Sequence, residues 1–355
     1  MLKVDNDLKL DFDDVLLVPQ RSYAASRKEV KLKRNFKFYW STKEWHGVPL
    51  MAANMDTTGT FNMGTSLNNY EAITCLHKHY GADAIEGYYK HYNVEPNVWV
   101  SIGMNIEHEL ERLFKLEDNT SIQPNICIDI ANGYTEKFVD YCSRIRMEFP
   151  SSIIMAGNVA TPEMVSELIL HGEVDIVKVG IGPGSACTTR LKAGVGYPQL
   201  SAVAECSHVA HGLRSDIGRL GLICADGGCR YPADVAKAYA AGADFVMLGG
   251  MLAGTKECEG EWVEKAGTKY LTFYGMSSKK AQEKHAGELL NYRSSEGRVK
   301  KIPYKGKAEV VINDILGGVR SACAYTGATS LKDFSKTARF VRVNRTHNDL
   351  SVEKL

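Results

Sequence analysis

The chain has 355 residues, 44% of them hydrophobic and 24% charged, with 43 basic side chains against 42 acidic ones and a formal net charge of +1. This is an ordinary globular composition with enough apolar side chains for a large core. The neutral balance gives no electrostatic case for nucleic acid or an anionic membrane as the main partner, and leaves room only for a local basic patch suited to a phosphorylated small molecule.

The opening stretch, MLKVDNDLKLDFDD, is acidic and polar and does not read as a signal peptide. Residues 1–45 precede the first core strand and are expected to pack across one end of the fold. Eight apolar runs then follow in order: Val48–Ala53, Ala72–Leu76, Val98–Ile102, Asn125–Ile130, Ser152–Gly157, Asp175–Gly180, Gly221–Asp226 and Asp244–Gly249. They are short, aliphatic and mostly without polar alternation, as strands buried on both faces are. Helix-like segments lie between them. One starts at Thr161-Pro162, a capping residue followed by proline at the first helical position. Another starts at Tyr231-Pro232 and closes at Gly242. Eight strands alternating with helices predict an α/β fold of the (β/α)8 TIM-barrel type. A charged stretch after the eighth strand, residues 255–313, reads as a lid or insert on the catalytic face.

The nine cysteines show no C-x-x-C spacing and no histidine cluster of zinc type. Their odd count predicts reduced thiols and an intracellular home. No apolar run approaches the roughly 20 residues that a membrane span needs. The last three residues, Glu353-Lys354-Leu355, loosely resemble a peroxisomal address, whose first residue is usually small. The expected compartment is the cytoplasm.

The chemistry concentrates in Lys178-Val-Gly-Ile-Gly182-Pro-Gly184-Ser-Ala-Cys187-Thr-Thr189-Arg190. The segment follows a strand, which places it at the C-terminal mouth of a barrel, where active sites lie. Its glycines permit tight backbone turns, and hydroxyls and an arginine surround one cysteine, whose thiolate would be the nucleophile. A glycine-rich turn holding an inert cysteine is the competing reading. Gly227-Gly228 and Gly249-Gly250 end the seventh and eighth strands, a frequent phosphate site in barrels because bare N–H groups approach the anion closely. Asp226 stands ready to accept ribose hydroxyls. Two tight turns without a ligand would give the same pattern.

At this point the sequence is identified as a member of a known family. GIGPGSACTTR resembles the catalytic loop shared by IMP dehydrogenases and GMP reductases. The likeness runs along nearly the whole chain through DDVLLVP, AANMDT, HKHY, DIANGY, AGNV, GVGYPQLSAV, ADGG, ADFVMLGGMLAG, FYGMSS, YRSSEG and DILGGVRSAC. It implies one (β/α)8 catalytic domain over residues 1–355. The short stretch 81–97 leaves no room for the paired CBS modules that dehydrogenases usually carry there. DIANGY and YRSSEG resemble the reductase versions of their segments, and no matching Arg-Tyr flap is found. The alternative is an IMP dehydrogenase lacking its CBS domain.

By this resemblance the chain is an NADPH-dependent oxidoreductase that converts GMP to IMP and ammonia in purine salvage. Cys187 would form the covalent intermediate, with Thr189 and Glu296 as acid–base relay and Lys78 near the reacting groups; Asp14 resembles another such position. Unaided, residue reading takes Glu296 for a solvated surface glutamate. GMP would lie against Asp226, Gly227, Gly228, Gly249, Gly250, Gly275, Met276, Ser277, Arg293 and Ser295. NADPH would contact Lys78, Asp129, Ile130, Ala131, Met276 and Tyr292. Its far end would reach Ser26, Arg27, Ser321, Ala322, Cys323 and Ala324 of a neighbouring subunit in a homotetramer. Carbonyls of Gly182, Gly184 and Cys187 resemble a potassium site. No nucleic-acid or membrane partner is expected.

Overall fold

The computed structural model describes residues 3–22, 26–92, 94, 96–216, 218–286 and 295–344. The eight runs form parallel strands: β1 (Leu50–Ala52), β2 (Ile73–Leu76), β3 (Val98–Ile102), β4 (Ile126–Asp129), β5 (Ile154–Val159), β6 (Ile176–Val179), β7 (Leu222–Asp226) and β8 (Phe245–Leu248). They close into a barrel in the order β7-β8-β1-β2-β3-β4-β5-β6. Parallel neighbours need crossover connections. These are α1 (Phe61–Asn68), α2 (Ala82–His91), α3 (Ile106–Thr120), α4 (Glu136–Glu148), α5 (Pro162–Leu170), α6 (Gln199–Gly212) and α7 (Pro232–Ala240). Between β2 and β3 the described residues form only the helix α2.

The missing polar alternation now has its cause. Met51, Ile73, Cys75, Trp99, Cys127, Met155, Ile176, Leu222, Cys224 and Met247 pack together in the barrel interior. Their strand neighbours Leu50, Val98, Val100, Ile126, Val177 and Val246 pack into the other two large clusters, with the helices. Both faces are therefore apolar, and fully burying one such side chain contributes about 1.5–3 kcal/mol.

The predicted helix signals hold. Pro162 and Pro232 occupy first-turn positions. Thr161 is the N-cap residue of α5, though its hydroxyl bonds Tyr134 at 3.2 Å rather than the helix. Gly242 has φ +111°, and a Cβ there would lie 2.3 Å from Ser207 Oγ, so the turn leaving α7 admits only glycine.

The N-terminal stretch covers both ends of the barrel, not one. A hairpin of Arg34–Lys37 and Glu44–Gly47 closes the N-terminal end. Phe36 meets Phe245 with ring centroids 4.6 Å apart, and Trp45 Nε1 donates to Asn97 Oδ1 at 2.9 Å. Residues ahead of it run instead along the mouth. Asp11 accepts from Gln199 N–H at 2.6 Å, and Phe12 lies under Gly228.

The insert after β8 is a three-stranded antiparallel sheet, β9 (Trp262–Lys265), β10 (Thr268–Tyr274) and β11 (Val299–Pro303), with α8 (Lys279–Ala286). It ends earlier than expected. Barrel helix α9 (Ala308–Tyr325) starts five residues before 313, because its apolar positions Ala308, Ile312, Ile315, Leu316 and Val319 pack into the core.

Candidate active site

The cysteine loop leaves β6 through Gly180, where an added Cβ would lie 2.0 Å from the Asp226 carbonyl oxygen. At Gly182 φ is +87°. The Cys187 N–H donates to the Gly184 carbonyl at 2.9 Å, which turns the half-buried thiol toward the mouth. Its Sγ lies 3.2 Å from Thr189 Oγ1, and the Thr189 hydroxyl donates to Glu296 Oε2 at 2.6 Å.

Glu296 is distant in sequence, and backbone pairing brings it here. Thr188 N–H donates to the Glu296 carbonyl at 2.8 Å, and Arg298 N–H to the Ala186 carbonyl at 2.9 Å. Glu296 N–H in turn donates to the Ser277 carbonyl at 3.2 Å. Loop and insert are thus zipped together along the thiol. Arg190, expected beside the thiol, serves another purpose. It makes bonds of 2.8 and 3.2 Å to Asp11 and donates to the Tyr197 carbonyl at 2.6 Å, pinning the N-terminal segment to the loop.

Three glycine turns converge next to the thiol. Gly227 and Gly228 have φ of +88° and +86°. A Cβ at Gly227 would approach Gly184 N to 3.1 Å, and one at Gly250 would approach Ser185 Oγ to 2.7 Å. Gly249, Gly275, Met276 and Ser277 line the same cleft. Such a bare, concave backbone suits an anion.

The floor holds a group that sequence reading passed over. Lys178 on β6 is buried, with its ammonium between Asp129 of β4 and Asp226 of β7, the latter at 3.3 Å. Burial opposes its charge, but the two carboxylates outweigh it and hold its pKa well above the usual lysine range. Burial likewise opposes ionisation of Asp129, and Lys178 beside it keeps its pKa below the usual range. Asn158 Nδ2 donates to Asp226 Oδ2 and to the Gly180 carbonyl, both at 2.8 Å, while its Oδ1 is buried without a partner in the cleft wall. A signal existed for Lys178. A lysine inside a fully apolar strand must find carboxylates, because an unpaired buried charge is too costly.

The cleft runs across the mouth from β7–β8 to Asp129, Ile130 and Ala131 on the opposite side. Lys78 is exposed beside Gly103, and its charge helps lower the Asp129 pKa. Three expected contacts stand elsewhere. Ser295 Oγ accepts from Lys279 N–H at 2.8 Å, at the start of α8. Asp14 accepts from Asp11 N–H in its own turn, at 2.8 Å. Cys323 is buried in the core, and its carbonyl accepts from Thr326 and Ala328. Arg27 and Ser321 line a separate recess with Lys28 and Arg320, and Ser26 caps the short helix that Arg27 begins. Ala322 and Ala324 are half-buried beside it on α9. Tyr292 and Arg293 lie outside the described residues, as does the C-terminal tripeptide.

A thiol, a hydroxyl and a carboxylate beside a concave glycine backbone, at the mouth of a closed parallel barrel, mark a (β/α)8-barrel enzyme. The chain belongs to the IMP dehydrogenase / GMP reductase family, whose domain matches residues 9–351. Similarity to individual relatives spans both chains. GMP reductase 1 of Mus musculus is 52% identical over 349 residues, 98% of this chain and 99% of the relative. The GMP reductase of Photobacterium profundum is 50% identical over 351 residues, again 98% and 99%. That of Escherichia coli O81 is 49% identical over 349 residues, 98% of each. Among the described residues no helix is long and apolar enough to cross a membrane.

Proposed function

We propose that this chain catalyses the reductive deamination of GMP, in which GMP, NADPH and two protons give IMP, the oxidised cofactor and ammonium. The observation that carries the reading is the line from Cys187 through Thr189 to Glu296, with steps of 3.2 and 2.6 Å. Because the Thr189 hydroxyl donates to Glu296, its oxygen can accept the thiol proton. Moving protons along this line leaves a Cys187 thiolate, the nucleophilic form. The thiolate adds to C2 of the purine. The proton held at Glu296 returns through Thr189 to the exocyclic nitrogen, the C2–N bond breaks and ammonia departs. NADPH, when bound, supplies a hydride to C2. The C2–S bond then breaks, its electron pair returns to sulfur, and IMP leaves. Division into two displacements is what the covalent link to Cys187 gains.

The phosphate belongs against Gly227, Gly228, Gly249 and Gly250, with Asp226 accepting from the ribose. A carboxylate has acceptor capacity beyond its bonds to Asn158 and Lys178. The purine lies under Gly275, Met276 and Ser277, between that cradle and the thiol. The nicotinamide belongs on the Asp129–Ala131 side, where the charge of Lys78 acts on Asp129. The recess of Arg27, Lys28, Arg320 and Ser321 is basic and suits the 2′-phosphate of NADPH from a neighbouring copy in a homotetramer. Carbonyls of Gly182, Gly184 and Cys187 supply hard oxygen donors of the kind potassium takes. We place the enzyme in the cytosol, as one catalytic domain working in purine salvage.

The purified protein, given GMP and NADPH, is expected to form oxidised cofactor, ammonia and IMP in equal amounts. NADH formed from IMP and NAD, without NADPH oxidation, would instead make it a dehydrogenase.

A further inference from the structure

Beyond the thiol line, one buried carboxylate gathers an unusual set of partners. Asp56 follows Asn54 and Met55, which line the cleft, and is 3% exposed. Its Oδ2 accepts from three donors, all on the insert: Tyr274 Oη at 2.8 Å, Lys284 Nζ at 3.1 Å and His285 Nε2 at 2.6 Å. Its own N–H points at Met276 Sδ, 3.5 Å away. Tyr274 ends β10 and His285 lies near the end of α8. One barrel side chain therefore holds Tyr274 and His285, which flank Gly275-Met276-Ser277 of the cleft lining. The Ser277 carbonyl receives the Glu296 N–H. Mechanical continuity thus runs from Asp56 through the insert to the acid that serves Cys187.

Two further features set the character of this cluster. Asp56 Oδ1 is buried with no hydrogen-bond partner, and His79 Nε2 stands 3.9 Å from it. The His79 ring stacks on His285 with centroids 3.3 Å apart and planes 5° from parallel. Asp56, His79 and His285 are close enough together to hold a metal ion. The stacking speaks against that use, because an imidazole binds a metal in its own plane and two parallel stacked planes share no point. Burial, and after it the neighbouring His285 charge, keeps His79 neutral down to about pH 4. A neutral ring stacks on His285 without charge repulsion.

We propose that Asp56 is a positioning residue for the reaction: it docks the insert over the cleft through His285, Tyr274 and Lys284, and so sets Ser277 and Glu296 against Cys187. The inference rests on the proposed GMP chemistry, but its first readout does not. In the full-length protein without ligands, the insert pairs with the Cys187 loop through Glu296, Gly297 and Arg298, so undocking it should open the thiol. Asp56→Asn and His285→Ala are expected to raise the rate of Cys187 alkylation by iodoacetamide about tenfold, the equivalent of one charged hydrogen bond lost from the docked state. With GMP and NADPH the same variants should lose about 10–100-fold in kcat/KM. Most of that loss should fall in kcat, because the glycines proposed for the phosphate lie outside the insert, with a smaller rise in KM from the purine side at Met276 and Ser277. His285→Gln keeps a neutral donor and should restore most of both readouts.

Unchanged alkylation and unchanged kcat in both variants would overturn the proposal. So would loss of wild-type activity on chelation with recovery on adding zinc, which would make the cluster a metal site. Should Asp56→Asn fail to fold, His285→Ala and His285→Gln still decide the question, since His285 is half-exposed. A wild-type protein that oxidises no NADPH with GMP would count against the reaction alone. The alkylation result would still stand for or against the docking role.

Discussion

The proposed relay would make Cys187, Thr189 and Glu296 act as a unit, so single replacements should be far from additive. Cys187→Ala should abolish turnover while leaving GMP binding intact, measured by isothermal titration beside a steady-state assay. Turnover by that variant would end the covalent mechanism. Glu296→Gln should keep the Thr189 contact but lose the proton store, slowing ammonia release by about 10²–10⁴-fold. Rapid-quench measurement of ammonia separates this from a hydride-step defect. Gly227→Ala meets two obstacles, a φ of +88° and an approach of 3.0 Å to Pro183 Cγ. It should destabilise by about 1–2 kcal/mol and raise the KM for GMP, because the moved backbone is the phosphate cradle. Residue types alone made Cys187 and the glycines legible. They misplaced Arg190, which looked like a partner for the thiol and instead holds Asp11.

At the level of strands and loops, the barrel floor depends on charges from three strands meeting at one point. Lys178→Met should leave Asp129 and Asp226 without their shared cation and cost about 3 kcal/mol. That is the low end for a broken buried pair, since both carboxylates keep some exposure. Urea titration of the purified variant measures it. The turn after β2 makes a pH prediction. Burial above all, with neighbouring cationic charge behind it, lowers His77 and His79 to about 4. In the unfolded chain both titrate near the ordinary value of about 6.5. As pH falls below that value the unfolded state takes up protons that the native state refuses. The contribution of these two rings should therefore be lost between about pH 6.5 and 4. Thermal melts of the wild type should show this slope, and His77→Gln/His79→Gln should flatten it. A wild-type melt that is flat across the window would refute the assignment.

The molecule as a whole divides stability and chemistry between its two ends. The hairpin at the N-terminal end packs Phe36, Phe38 and Trp45 against the barrel interior, far from the thiol. Trp45→Ala should cost about 3–5 kcal/mol, since the indole also loses its bond to Asn97. The folded fraction should keep its kcat, as seen by comparing active-site titration with melting temperature. A large fall in kcat per folded molecule would show that the two ends are coupled.

Local pattern by itself determined the eight strands and the helix starts at Pro162 and Pro232, and marked Cys187 and the glycine pairs as candidates. Each is a short-range matter of periodicity, backbone freedom or side-chain chemistry, and each is complete within about a dozen residues. Family motifs then linked Glu296 to Thr189, which residue pattern alone would have left as a surface glutamate. Only the closed barrel decided the rest. It divided the N-terminal stretch between both ends, drew Lys178 between carboxylates of β4 and β7, turned Ser295 to α8, and brought Asp56 under the insert. Those relations join residues up to 229 positions apart. They are fixed by strand order, by the requirement that buried charge be paired, and by where the insert folds back, none of which has a local signature.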